Sequence, residues 1–333
     1  MMSSVKQSII SLSKTRAANS LVRLLEMFDH EAANLLRVLT YHRVDYPSAH
    51  PNLSPATLSA TPEDFAQQMD FIRERYTPVS IQDVLGWEVD NIPPRAVLVT
   101  FDDAYRDFAE HAWPIAQERD IPLTLFVPTG FPDQPERVFW WDELYNAISN
   151  TNSNTVSTKD GDLSLKTSAD RKQAFRALRD YVKALPHEEA MSWVRQTCHE
   201  LGTPLEKNIV LSWEELRDLA SEGVTMGAHT RTHPMMNRIS LEQAREEAVQ
   251  SRVDIQEHIG SAPPIFAYPS GFFSDSVVQM LRDEGFQLAF TTDRGINQMA
   301  TVDRLRLRRI NVGGNTTLSL MRGQLLATTR YIQ

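Results

Sequence analysis

The chain has 333 residues, 41% hydrophobic and 23% charged, with 34 Lys+Arg against 43 Asp+Glu and a formal net charge of −9 at pH 7. That length builds one barrel or two domains, and the negative balance argues against a non-specific nucleic-acid binder, which needs a basic surface. Only 13 Gly and 18 Pro among many apolar runs exclude collagen-like and disordered classes, and a single cysteine, Cys198, excludes an internal disulfide and a thiolate-rich zinc site.

Residues 1–35 read as a helical extension. Ile9, Ile10, Leu12, Leu21, Val22, Leu24 and Leu25 form an apolar side against Lys6, Lys14, Arg16 and Arg23. Such a helix either packs on the domain or lies on an anionic membrane surface. The interspersed basic residues leave no signal-peptide core, and no apolar run is long enough to span a bilayer. The expected compartment is therefore the cytoplasm.

From residue 36, short apolar β-branched runs alternate with helical patterns. Strands are expected at 36–41, 96–101, 123–127, 224–228, 265–268, 288–291 and 305–312. Most are near-continuous in apolar residues, as parallel strands covered on both faces are. The intervening helices have readable starts. Thr61-Pro62 gives an N-cap followed by a first-turn proline. Ser212 and Ser240 each open a capping box, Ser274 caps a further helix, and Gly223, Gly260 and Gly285 mark helix ends. Seven strand–helix units indicate an α/β fold, a barrel rather than an open sheet, over residues 36–323. Residues 132–208 read as an insertion of turns and helices carrying FWWDELYNAISN and the polar stretch 151–159. Residues 324–333 are left as a tail.

Two motifs carry chemistry. The strand VLVTF ends in Asp102 and Asp103. Adjacent strand residues face opposite ways, so a turn must follow if both carboxylates are to meet one centre, one as metal ligand and one as base. The second is GAHTRTHP, with His229 and His233 four apart directly after a strand. There Gly227 is expected to allow a tight turn and Pro234 to stiffen the exit. Asp103, His229 and His233 make three ligands with an open position, the pattern of a catalytic metal.

TFDDAYRDF and HTRTHP resemble the first two motifs of the NodB-homology polysaccharide deacetylases, carbohydrate esterase family 4, and the resemblance runs from LTYHRV (39–44) to RLRLRRINV (304–312). It implies a deformed (β/α) barrel that removes N-acetyl, sometimes O-acetyl, groups from sugars with one divalent metal, commonly Zn2+. It implies Asp102 as general base and Asp103, His229 and His233 as metal ligands. FAYPSG resembles the third motif, with the backbone N–H near Ser270 as oxyanion donor and Tyr268 as a substrate contact. The sequence departs from the family in three places. Ala267 stands where many members carry an arginine bonded to the base. Asp293 in FTTDRGIN is the one candidate from the fourth motif. RLRLRRINV lacks the late histidine that serves as general acid, and His42 in LTYHRV is the candidate to replace it.

Trp140 and Trp141 either stack on sugar rings or pack between helices. The arginines of 304–309 either meet an anionic carrier or, as favoured, form an alternating strand with solvated side chains. The reading is a metal-dependent sugar N-deacetylase acting on a glycan or on a lipid- or nucleotide-linked precursor. The alternatives are hydrolysis of a non-sugar cyclic amide and a non-catalytic glycan-binding relative.

Overall fold

The computed structural model describes residues 20, 22, 24–27, 34–87, 92–159, 161–203 and 206–327. The expected N-terminal extension and C-terminal tail lie mostly outside these residues. Seven parallel strands close into a barrel: β1 (Leu35–Tyr41), β5 (Ala96–Asp102), β6 (Leu123–Val127), β9 (Thr225–Ala228), β10 (Ile265–Ala267), β11 (Leu288–Arg294) and β13 (Leu307–Asn311). The ring runs β1-β13-β11-β10-β9-β6-β5 and shuts where Leu36–Tyr41 pairs residue for residue with Ala96–Phe101. These are the seven expected strands. Short edge segments add to the ring: β4 (Thr77–Pro78) beside β5, and β12 (Asn297–Gln298) antiparallel to β1.

Strand alternation sorts the side chains into two cores. Leu36, Val38, Leu98, Phe126, Ala267, Phe290 and Leu307 share one buried cluster. Phe126 and Phe290 lie 5.4 Å apart although β6 and β11 are not neighbours, so this cluster fills the barrel interior. Residues of the other parity, among them Leu39, Val99, Phe101, Phe266 and Ala289, pack outward against the helices. Gly227 belongs to β9, and a Cβ there would stand 2.6 Å from the Phe126 ring and 2.9 Å from Ile265. It is therefore an interior space-maker. The tight turn expected of Gly227 is made instead by Thr230 and His233, both at positive φ.

The helices begin where their caps predict. Thr61 accepts from the Asp64 N–H ahead of Pro62–Arg75, and Ser212 and Ser240 close reciprocal capping boxes on Trp213–Ser221 and Leu241–Ile259. The helix Asp275–Asp283 starts on Ser274. Replacing such a cap by alanine removes about 1 kcal/mol.

The insertion is not made of turns and helices alone. Helix Trp140–Asn150 is followed by an antiparallel hairpin, Thr155–Thr158 on Gly161–Ser164, and then by helices Ser168–Ala184 and His187–Leu201. The polar stretch supplies the first hairpin strand because Val156 turns inward while its neighbours stay solvated. These elements bury a core of their own around Leu144, Ile148, Phe175, Leu178, Val182 and Val194. Cys198 sits in it, and burial pushes its thiol well above the usual range, so it is not a nucleophile at neutral pH.

Candidate active site

The C-terminal ends of the barrel strands converge on a cavity of about 330 Å³. Asp102 ends β5 on the interior parity set by Leu98 and Thr100. Asp103 would face away were the strand to continue. Instead Asp103 and Ala104 adopt φ of 76° and 53°, which swings the second carboxylate into the same cavity. Left-handed backbone at non-glycine residues costs on the order of 1–3 kcal/mol and persists only where the surroundings enforce it. Here the Asp103 N–H donates to the Phe126 carbonyl of β6.

His229 follows β9, and its Nδ1 lies 2.8 Å from the carbonyl of Ala267. That contact fixes the tautomer with hydrogen on Nδ1 and leaves Nε2 as a lone-pair donor. The HTRTHP loop is held by contacts the sequence did not advertise. Glu247 accepts from the Arg231 and Thr232 N–H groups and from the Thr232 hydroxyl, and the His233 N–H donates to Thr230 Oγ1. Asp254 accepts from Thr129 and Arg231, tying this loop to the one after β6. Glu247 and Asp254 lie on helix Leu241–Ile259 and are invisible to motif reading.

Asp103 Oδ1 lies 3.5 Å from His229 Nε2 and 3.3 Å from His233 Nε2, and all three side chains are buried. Among the described residues this is the one group of three or more such donors close enough to share an ion. Ligands about 2.1 Å from a tetrahedral cation stand about 3.4 Å from one another, so the spacing fits one divalent metal. Asp103 Oδ1 is buried with no hydrogen-bond partner, the kind of orphaned acceptor that a cation satisfies. Burial alone would raise the Asp103 carboxyl, but the two histidines hold it far below the usual range. Burial pushes His233 down and favours its neutral form. For His229 the same push is outweighed by Asp103 and Asp102, leaving it raised.

Asp102 is paired with Arg309 through two hydrogen bonds, Nη1 to Oδ1 at 2.8 Å and Nη2 to Oδ2 at 2.7 Å. Arg309 is fully buried and its Nε donates to the Thr291 carbonyl. This corrects the reading of the late arginines as a solvated alternation. Arg306 and Arg308 do face outward, but Leu307, Arg309 and Asn311 share the interior parity. Burial would raise the Asp102 carboxyl, but the charge and hydrogen bonds of Arg309, together with the charges of His229 and His42, outweigh it, so Asp102 is held below its usual value. The arginine expected at position 267 is thus replaced in space by one from β13. The signal was present in sequence as the period-2 spacing of Leu305, Leu307 and Arg309.

His42 follows β1 and faces the same cavity, its Nε2 4.0 Å from Asp103 Oδ2 with the side chain 31% exposed. Ser270 borders the cavity at φ 53°, on a turn where Gly271 has φ 74° and a Cβ at Gly271 would collide with Thr292 at 1.9 Å.

Two expected substrate contacts are corrected. Tyr268 has the outward parity of Phe266; it is fully buried and its hydroxyl donates to the Leu305 carbonyl. Asp293 likewise points away from the interior into solvent, and Thr292 lines the cavity in its place. Trp140 and Trp141 do border the cavity, and the Trp141 ring lies 4.9 Å edge-on to His233.

Trp141 is positioned by a buried chain. Its Nε1 donates to the Tyr105 hydroxyl at 2.9 Å, Tyr105 donates to Asp142 at 2.5 Å, and Asp142 also accepts from the Ser54 N–H. Burial pushes the Asp142 carboxyl up to about 7. The folded state then holds a proton that the unfolded chain has lost above a pKa of about 3.9. Its contribution to stability is complete below that value and is lost as pH rises towards 7. Urea unfolding between pH 4.5 and 7.5 should therefore show a falling component on the order of 1 kcal/mol per pH unit, which Asp142→Asn removes. An unchanged slope in that variant would refute the assignment.

Residues 188–289 match the family model "Polysaccharide deacetylase". The Bacillus subtilis protein YxkH, named for the same family, is 22% identical over 102 residues, 31% of this chain and 37% of that protein. The match thus spans little more than a third of the curated relative. Among solved structures, Streptococcus pyogenes deacetylase PplD in complex with acetate superposes with a TM-score of 0.60 at 20% identity, covering 88% of this chain and 99% of that one. IcaB from Ammonifex degensii gives 0.55 at 21%, covering 90% and 100%. The de-N-acetylase from Aggregatibacter actinomycetemcomitans gives 0.57 at 17%, covering 87% and 99%. The family model thus matches 102 residues of the chain, and the solved structures share its barrel fold.

Proposed function

We propose that the protein is a metal-dependent hydrolase that removes N-acetyl groups from amino sugars of a glycan or of a lipid- or nucleotide-linked precursor. The observation that carries this reading is the convergence of Asp103, His229 and His233 beside an Asp102 that Arg309 keeps ionised. Asp103, His229 and His233 would hold a divalent cation, zinc by their donor set, which when bound would supply Lewis acidity that lowers the pKa of water from 15.7 towards about 7. Asp102 accepts the proton of the attacking water. The Ser270 backbone N–H is the donor assigned to the oxygen on which charge develops. His42, with its ring at the cavity and partly in solvent, returns a proton to the leaving amine and is recharged from water. Trp140 and Trp141 offer faces and edges to the sugar ring.

The pairing of Arg309 with Asp102 supports an enzyme over a non-catalytic relative, because it supplies the partner that Ala267 cannot. No helix among the described residues is long and apolar enough to cross a membrane. Exposed Leu24, Leu25 and Met27 support contact of the N-terminal segment with a membrane surface.

Acetate release from N-acetylhexosamine oligomers and nucleotide sugars, with zinc or cobalt supplied, tests the reading. No release across the panel would refute it. Asp102→Asn is expected to lower turnover by 10² to 10⁴ while leaving the metal bound. His42→Ala should lower kcat by a smaller factor and lose one limb of the pH profile; an unaltered profile would remove His42 from the acid role.

A further inference from the structure

The insertion puts cations, and no carboxylate, into the active-site cavity. Lys183 and Arg179 are four residues apart on the helix Ser168–Ala184, hence on one face of it, and both line the cavity that holds His42, Asp103 and His233. Lys183 is half-buried and makes no hydrogen bond or ion pair among the described residues. Among the described residues Arg179 pairs only with its own sequence neighbour Asp180, which is 70% exposed, and such pairs are worth little.

The carboxylates lining the cavity are Asp102 and Asp103. The first is neutralised by Arg309, and the second is more than neutralised once a divalent cation is bound. A cavity in a chain of net charge −9 is therefore locally positive. Desolvating an ammonium is costly, and burial with the neighbouring Arg179 charge pushes the Lys183 amine below its usual value despite the pull of Asp180 and Asp103. A neutral glycan gives such a lysine nothing that water does not.

We infer that Lys183 and Arg179 form an anion-binding subsite, so that the substrate carries an oxyanion, a phosphate or a carboxylate, close to its acylated amino sugar. The inference rests on the deacetylase reading and narrows its substrate class. A sugar phosphate, whether nucleotide- or lipid-linked, suits the compact ammonium and the guanidinium fork equally. A uronate beside the amino sugar offers the same charge.

The test uses the full-length protein with N-acetylglucosamine 1-phosphate, a disaccharide of N-acetylglucosamine with glucuronic acid, and N,N′-diacetylchitobiose as the neutral match. Acetate release and equilibrium binding are measured for wild type, Lys183→Met, which keeps the stem and removes the charge, and Arg179→Gln. Circular dichroism checks that each is folded. Wild type should favour one charged substrate by about tenfold or more in kcat/KM, and which one identifies the group. Each substitution should erase about tenfold of that preference, the worth of one partly buried charge pair, with the neutral substrate little changed. The preference should shrink as salt is added. Equal kcat/KM for charged and neutral substrates, unmoved by either substitution, overturns the subsite and leaves the deacetylase reading standing. If no substrate releases acetate but sugar phosphate binding weakens about tenfold in Lys183→Met, the subsite stands and the reaction falls. If neither is seen, both fall.

Discussion

Arg309→Met is expected to destabilise the fold by about 3–5 kcal/mol, the cost of leaving one partner of a buried ion pair without the other, and to abolish turnover. Asp102 and Arg309 are both buried and joined by two short hydrogen bonds. With the arginine gone, burial, the largest single influence on the carboxyl, is opposed only by the charges of His229 and His42, and the carboxyl is expected to rise. The sign of the pH dependence then reverses. In the wild type Asp102 is depressed, so its contribution is present above the unfolded pKa of about 3.9 and is lost as pH falls through the folded value. In the variant it is raised, so stability is lost as pH climbs. Asp102→Asn combined with Arg309→Met removes the stranded charge and should recover most of the stability with none of the activity. That non-additivity, measured by urea unfolding of the two single variants and the double, separates a positioning role from ordinary packing. A double variant no more stable than Arg309→Met would sink it.

The second large effect concerns the candidate metal ligands. Asp103→Ala, His229→Ala or His233→Ala should cut bound metal from about one equivalent per chain to near zero, and each should cost activity by at least about 10³. Elemental analysis after gel filtration reads the first and acetate release the second. Wild-type protein should also melt lower after chelation, since a metal at about a thousand times its Kd adds on the order of 4 kcal/mol to the folded state. Asp102→Asn provides the contrast, because it leaves the three donors in place. Full metal content in the Asp103 variant would remove Asp103 from the site. Metal content should also fall in acid, because Asp103 and Asp102 raise His229 and protonation takes away its lone pair.

Much of this architecture was readable in one dimension. Near-continuous apolar runs gave all seven barrel strands, since strands buried on both faces leave no polar side to blur the signal. Serine, threonine and glycine marked the helix ends because capping is a local interaction. The Asp-Asp and His-x3-His motifs were legible because each lies directly after a strand. Their meeting required only that strand ends share one rim.

What failed in sequence failed for non-local reasons. Motif position points to Tyr268 and Asp293, yet strand parity sends both outward. Applied strictly, the same parity would have drawn Arg309 inward, but a run of four arginines in six residues looked solvated. Glu247, Asp254 and the Trp141–Tyr105–Asp142 chain join residues distant in sequence. No spacing rule reports them.

The amino-acid order alone determined the parallel barrel, the helix boundaries and the four groups at the candidate metal site, because these follow from local periodicity, capping and strand-end placement. Which arginine neutralises Asp102, which tryptophan edge meets His233, and which lysine from the insertion overlooks the cavity were decided only when the ring of strands closed. Those contacts depend on how the barrel and the insertion pack together in three dimensions, a quantity that no stretch of chain carries by itself.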